Sequence, residues 1–117
     1  MNIEEFRDYC LAKKGVTEEF PFDEVTLVFK VVGKIFAITG LDNEQFEVNL
    51  KCEPEYALEL REQHPEVRPG WHMNKKHWNT ITLDDSIPDD EIFGMMDHSY
   101  NLVVKGLKKA DQQKLHV

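Results

Sequence analysis

Apolar residues near the start of the chain recur at helical spacing, at Ile3, Phe6 and Cys10, with Asn2 and Glu5 placed as a capping box and Gly15 following Lys13 and Lys14. This pattern predicts a surface helix with one inward stripe. After the turn-like Phe20, Pro21, Phe22 and Asp23, the run Val25 to Val31 is rich in branched and aromatic residues and predicts a strand. Gly33 supplies a tight turn into Lys34 to Thr39, and Gly40 to Asn43 supply another into Phe46 to Lys51, giving a three-stranded antiparallel meander. In its third strand Phe46, Val48 and Leu50 alternate with Glu47, Asn49 and Lys51, so one sheet face is wet and helices are expected on the other.

Pro54 suits the first turn of a second helix, with Tyr56, Ala57 and Leu60 inward and Pro65 ending it. A second hairpin is expected from Pro65, Pro69 and Gly70 through a polar corner at Asn74, Lys75 and Lys76 into the strand-like His77 to Leu83. The last helix opens near Ser86, read as its cap, and Pro88. Asp89, Asp90 and Glu91 sit at its positive end, Lys105, Lys108 and Lys109 at its negative end, and Ile92, Met96, Tyr100, Val103 and Leu107 form its core stripe. The expectation is one α+β domain over residues 1–117, in two layers, with an antiparallel sheet, helices on one face and the order α-βββ-α-ββ-α. Residues from about 110 to 117 form a polar tail.

Composition narrows the function classes. The formal net charge of −8 opposes bulk attraction to nucleic acid or anionic membranes, so any DNA role needs a local basic face. The opening residues lack the basic start and apolar run of a secretion signal, and no apolar stretch approaches a bilayer span. A cytoplasmic location without membrane contact is therefore expected. Cys10 and Cys52 form no CxxC pair and read as buried free thiols.

Sequence motifs for serine hydrolases, zincins, phosphate loops and dinucleotide folds are absent, and no catalysis, cofactor or metal is expected. His64 and Glu66 match the H-x-E of zinc deaminases without the P-C-x-x-C partner. His64, His72 and His77 could meet near the second hairpin, but imidazoles beside a loop are more often hydrogen-bonded than metal-bound.

The most unusual stretch is Arg68 to Trp78, which combines Arg68, His72, Lys75, Lys76 and His77 with Trp71 and Trp78 and contains no carboxylate. Lysines at a hairpin tip can contact phosphates while an aromatic ring stacks or wedges. The plainer reading anchors Trp78 in the core with Trp71 beside it and leaves Lys75 and Lys76 to solvate a turn. Charge is segregated along the chain, for Asp84 to Val104 holds six acids and no Lys or Arg.

These residues resemble the MmcQ/YjbR family of small bacterial proteins over nearly the whole chain. The resemblance rests on Gly15 to Phe22 leading into Thr26 to Val31, on Leu50, Lys51, Cys52 and Pro54, on Arg68 to Thr80 and on Asp97, His98, Ser99 and Tyr100. It implies a two-layer fold like that of secretion chaperones and a "double wing" mode of DNA binding. It carries over no reaction and no catalytic set; His72, Lys75, Lys76, His77 and Trp78 match its most recognisable motif. Two function classes follow from it. In the first, which is the expectation adopted, two hairpins act as wings on DNA, Lys30, Lys34, Lys75 and Lys76 contact phosphates, and Trp71 or His77 touches a groove. In the second, the domain is a protein-interaction or chaperone-like module with a protein partner.

Overall fold

The computed structural model describes residues 1–70 and 73–115. Its elements in chain order are α1 (Ile3–Leu11), β1 (Val16–Glu19), β2 (Thr26–Val31), β3 (Lys34–Gly40), β4 (Glu47–Lys51), α2 (Pro54–Gln63), β5 (Val67–Pro69), β6 (Trp78–Thr82), α3 (Asp89–Lys105) and α4 (Lys109–Gln113). The strands form one sheet in the order β1-β2-β3-β4-β6-β5, every neighbour antiparallel. This is the expected two-layer α+β architecture. No helix among the described residues is long and apolar enough to cross a membrane.

Directly paired residues share a sheet face, so the register sorts the side chains. Leu27, Phe29, Ala37, Val48, Leu50, Ile81 and Val67 point to one face and join Phe6, Cys10, Ala57, Leu60, Ile92, Met95, Met96 and Val103 of the helices in a single core. The opposite face carries a row through all six strands: Glu19, Val28, Ile38, Asn49, Thr80 and Arg68. Val28, Ile35, Ile38 and Trp78, on this second face, lie outside the core cluster that the helices share; no helix among the described residues joins them there, although Val28 and Thr80 are themselves buried.

Three local expectations are corrected. A sixth strand, β1, pairs with β2 at the sheet edge. Its sequence VTEE hides it, because two carboxylates weaken strand propensity; Glu18 is instead held by Arg7 and Glu19 by Lys30. Ser86 does not cap α3. Pro88 occupies the cap position, and Ser86 donates its backbone N–H to Asp84 Oδ1 at 3.1 Å in the preceding turn. Trp78 is half-buried on the second face rather than anchored in the core. The capping box of α1 forms as expected, with Glu5 N donating to Asn2 Oδ1 at 2.8 Å and Asn2 N to Glu5 Oε1 at 3.2 Å. The polar tail contains the short helix α4, after which Leu115 returns to the core.

The sheet has one irregularity that the helical layer repairs. The β2–β3 register shifts after Phe29, so that β3 carries Phe36 as an extra residue and its carbonyl leaves the ladder. The fully buried Ser99 of α3 donates its hydroxyl to Phe36 O at 2.5 Å and accepts Lys51 N at 2.9 Å, bridging β3 and β4 where their own pairing stops. Ser99→Ala is expected to leave both backbone groups buried without partners and to lower stability by about 1–3 kcal/mol in urea unfolding. An unchanged denaturation midpoint would show that the bridge contributes nothing.

Candidate nucleic-acid interface

Two strand connections meet at one end of the sheet. Lys34 opens β3 just after the β2–β3 turn, Lys51 closes β4, and Lys51 pairs with Trp78, the first residue of β6. The β2–β3 turn and the two ends of the β5–β6 connection, Gly70 and His77, therefore lie at the same edge of the strands. They are separated by three strand spacings, about 14 Å.

The β2–β3 turn is rigid. Val32 and Gly33 both take positive φ, 46° and 80°, which makes the two-residue turn whose twist matches that of the flanking strands. A branched side chain in this region costs of order 1–3 kcal/mol. Val32 is held there by packing against the core and by donating its N–H to Gly15 O at 3.4 Å. Lys34 leaves the turn exposed.

The second connection is clamped from below. Gly70 N donates to Trp78 O at 2.8 Å, and a Cβ at Gly70 would fall 2.8 Å from Trp78 Cβ, so only glycine allows this approach. Arg61 of α2 donates Nε to Asn79 Oδ1 at 2.8 Å and Nη2 to Lys75 O at 2.5 Å and Trp78 O at 3.4 Å. His77 O accepts Cys52 N at 2.8 Å, and Asn74 folds the tip by accepting Lys76 N at 3.0 Å on its side chain. Lys75, Lys76 and His77 are exposed, with Lys75 Nζ also 3.4 Å from Gly70 O. Trp71 and His72 lie outside the described residues.

The other anticipated positions are engaged elsewhere. Lys30 pairs with Glu19 on the second face, and Arg68 Nη2 donates to Glu47 Oε2 at 2.8 Å and Nη1 to Thr82 Oγ1 at 2.8 Å. His64 Nε2 lies 3.3 Å from Glu91 Oε2, at the far end of the sheet from His77. No three His, Cys, Asp or Glu residues among those described could hold a metal ion. Cys10 and Cys52 are free and buried, and burial pushes both thiols up to about 12, away from nucleophilic use.

Sequence reasoning did not single out Arg61 as the clamp or Lys51 as the cation beside Trp78. The signal for Arg61 was its position four residues after Ala57, on the inward stripe of α2, where a guanidinium must find acceptors.

α1 and α3 give the charges an axis, whereas α2, which starts at Pro54 just after Lys51, runs the other way and carries Glu53 and Glu55 at the lysine end. α1 and α3 begin at the end opposite the lysine tips and finish near them. Lys14, Lys34, Lys51, Lys75, Lys76 and Lys105 therefore gather at one pole. Asp23, Glu24, Asp42, Glu44, Asp84, Asp85, Asp89 and Asp90 gather at the other, where the positive helix ends favour them.

Four consecutive α3 residues fasten this arrangement. Asp97 accepts Tyr9 Oη at 2.8 Å and pairs with Lys13; His98 Nε2 accepts Glu53 N at 3.1 Å; Ser99 bridges β3 and β4; Tyr100 Oη donates to Lys14 O at 2.6 Å.

Such a fold is a one-sided α+β sandwich with two basic turns at one end of its sheet and, among the described residues, no group of three His, Cys, Asp or Glu that could hold a metal ion. The YjbR family model matches residues 11–102, and the chain belongs to that family. It is 38% identical over 115 residues to the uncharacterised protein YjbR of Escherichia coli K12, covering 98% of both chains. It is 36% identical over 96 residues to the uncharacterised Escherichia coli O157:H7 protein YbdF, covering 82% of this chain and 79% of that one. A crystal structure of a Deinococcus radiodurans protein with a DUF419 domain superposes with a TM-score of 0.92 at 38% identity, over 99% of this chain and 88% of that one.

Two outcomes test the clamp and the fastening. Arg61→Ala is expected to speed amide hydrogen exchange from Lys75 to Trp78 and to cost about 1–3 kcal/mol of stability; unchanged exchange would mean the connection holds itself.

Burial keeps the His98 imidazole below its ordinary 6.5, against the opposing pull of Glu53. Above that value the ring is neutral in folded and unfolded chains alike and its contribution is complete. As pH falls, the unfolded chain takes up a proton that the folded chain resists, and stability drops through the folded pKa. Between about pH 8 and about pH 5.5 the protein is expected to lose more stability than His98→Gln, whose amide oxygen can accept Glu53 N without titrating. Parallel pH profiles would remove His98 as a source.

Proposed function

We propose that this chain binds DNA through its lysine-bearing pole, the two strand turns straddling the backbone as paired wings, without catalysis. The observation that carries the reading is the common edge at which the turns lie: Lys34 on one, Lys75 and Lys76 on the other, with Lys51 on the strand between them. Exposed lysines on rigid turns release phosphate counterions at little ordering cost. Lys30 and Arg68, already paired with carboxylates, support the wings rather than touch phosphate. Trp78, half-buried on the second face beside Lys51, offers an aromatic surface for a base or sugar.

Titration of labelled duplex and single-stranded DNA at low and physiological salt tests this. Binding is expected to weaken with salt, and Lys34→Ala/Lys75→Ala/Lys76→Ala is expected to lower the slope of log affinity against log salt by about 2–3 on duplex. Absence of binding at low salt, or a slope unchanged in the triple variant, would retire the wing reading.

A further inference from the structure

We propose that the acidic pole carries a second binding site, independent of the DNA-binding reading: an apolar groove that takes a cationic amphipathic segment of a partner protein. The groove, about 450 Å³, runs between the start of α1 and the β1–β2 edge and is lined by Ile3, Phe20, Leu27 and Leu41. Ile3 and Leu41 also line a neighbouring hollow of about 400 Å³ that extends past Phe46 and Leu83. Phe20 is 47% exposed, Leu41 48% and Phe22, on the same β1–β2 connection as Phe20, 68%. Large apolar side chains clustered in this way mark contact surfaces, whereas single exposed ones do not.

Charge selects the occupant. The β1–β2 connection carries Asp23 and Glu24, the β3–β4 connection carries Asp42 and Glu44, and neither contains Lys or Arg. Arg7, which lines the groove, is already neutralised by Glu18, and Glu19 of the lining is paired with Lys30. Glu4 adds another carboxylate to the lining. A segment with apolar residues on one side and Lys or Arg on the other satisfies both features: its apolar side fills the groove and its cations meet the acidic flanks.

The experiment uses fluorescent peptides of about four helical turns: an amphipathic Leu/Lys peptide, a scrambled peptide of the same composition, and a Leu/Glu counterpart. Wild-type protein is expected to bind the amphipathic Leu/Lys peptide at least about tenfold more tightly than the scrambled one. Phe20→Ser/Leu41→Ser, which changes only exposed side chains, is expected to erase that preference, while Leu58→Ser, an exposed apolar position on α2, retains it. Circular dichroism checks that the variants stay folded. Equal affinity for the two cationic peptides, preference for the Leu/Glu peptide, or an unchanged preference in the double variant would overturn the proposal. So would a concentration-dependent dimer in sedimentation that the double variant dissolves, which would assign the groove to a second copy of this chain.

Discussion

One side-chain hydroxyl holds the two layers in register. Ser99 projects from α3 into the place where β3 carries an extra residue, and it satisfies the displaced Phe36 carbonyl and the Lys51 amide together. A bulge in a central strand would otherwise leave buried backbone groups without partners, which costs more than an ordinary hydrogen bond returns. Because the donor and acceptor belong to neighbouring strands, the bridge also fixes where α3 lies along the sheet. The residues on either side of Ser99 then reach α1, the α1–β1 turn and the start of α2 from that one fixed point.

The described part of the β5–β6 connection is tied to the same bridge. Lys51, held by Ser99, is followed by Cys52, whose amide donates to His77 O at the end of the β5–β6 connection. Arg61, one helix further along the chain, grips the Lys75 and Trp78 carbonyls of that connection. A turn tied down through its backbone can present Lys75 and Lys76 without first paying to order them. The α3 motif therefore acts on the candidate interface through backbone position, although none of its side chains lies on the turns.

Much of this was legible in the sequence because the pattern of apolar residues had a single period in each stretch. β4, with Phe46, Val48 and Leu50 alternating against polar neighbours, identified the covered face, and the acid-to-lysine gradient of α3 identified its direction. β1 was not legible, since its paired carboxylates are stabilised by Arg7 and Lys30 at long range and leave no local strand signal. The role of Ser99 left no local signal for the same reason: the acceptor it serves lies in another strand, and the bulge that exposes that acceptor has no mark in β3 itself. The basic stretch from Arg68 to Trp78 was visible, but its division was not. Arg68 faces Glu47 across the sheet, while Lys75 and Lys76 pair with no carboxylate among the described residues, a distinction only the register makes.

The register also settles how far a net charge of −8 bears on a lysine-bearing pole. Strands of five to seven residues in the centre of the sheet place the acidic connections about 20 Å from the basic turns. The Debye length at physiological salt is about 8 Å, so most of the acidic field is screened before it reaches Lys34, Lys75 and Lys76. At low salt the screening weakens and the two poles feel each other, which makes orientation matter: an approaching polyanion is repelled from the carboxylate end and drawn to the turns. The total charge thus governs long-range attraction, whereas contact depends on which pole arrives, and the fold separates those two roles by aligning α1 and α3 so that each begins among acids and ends among lysines.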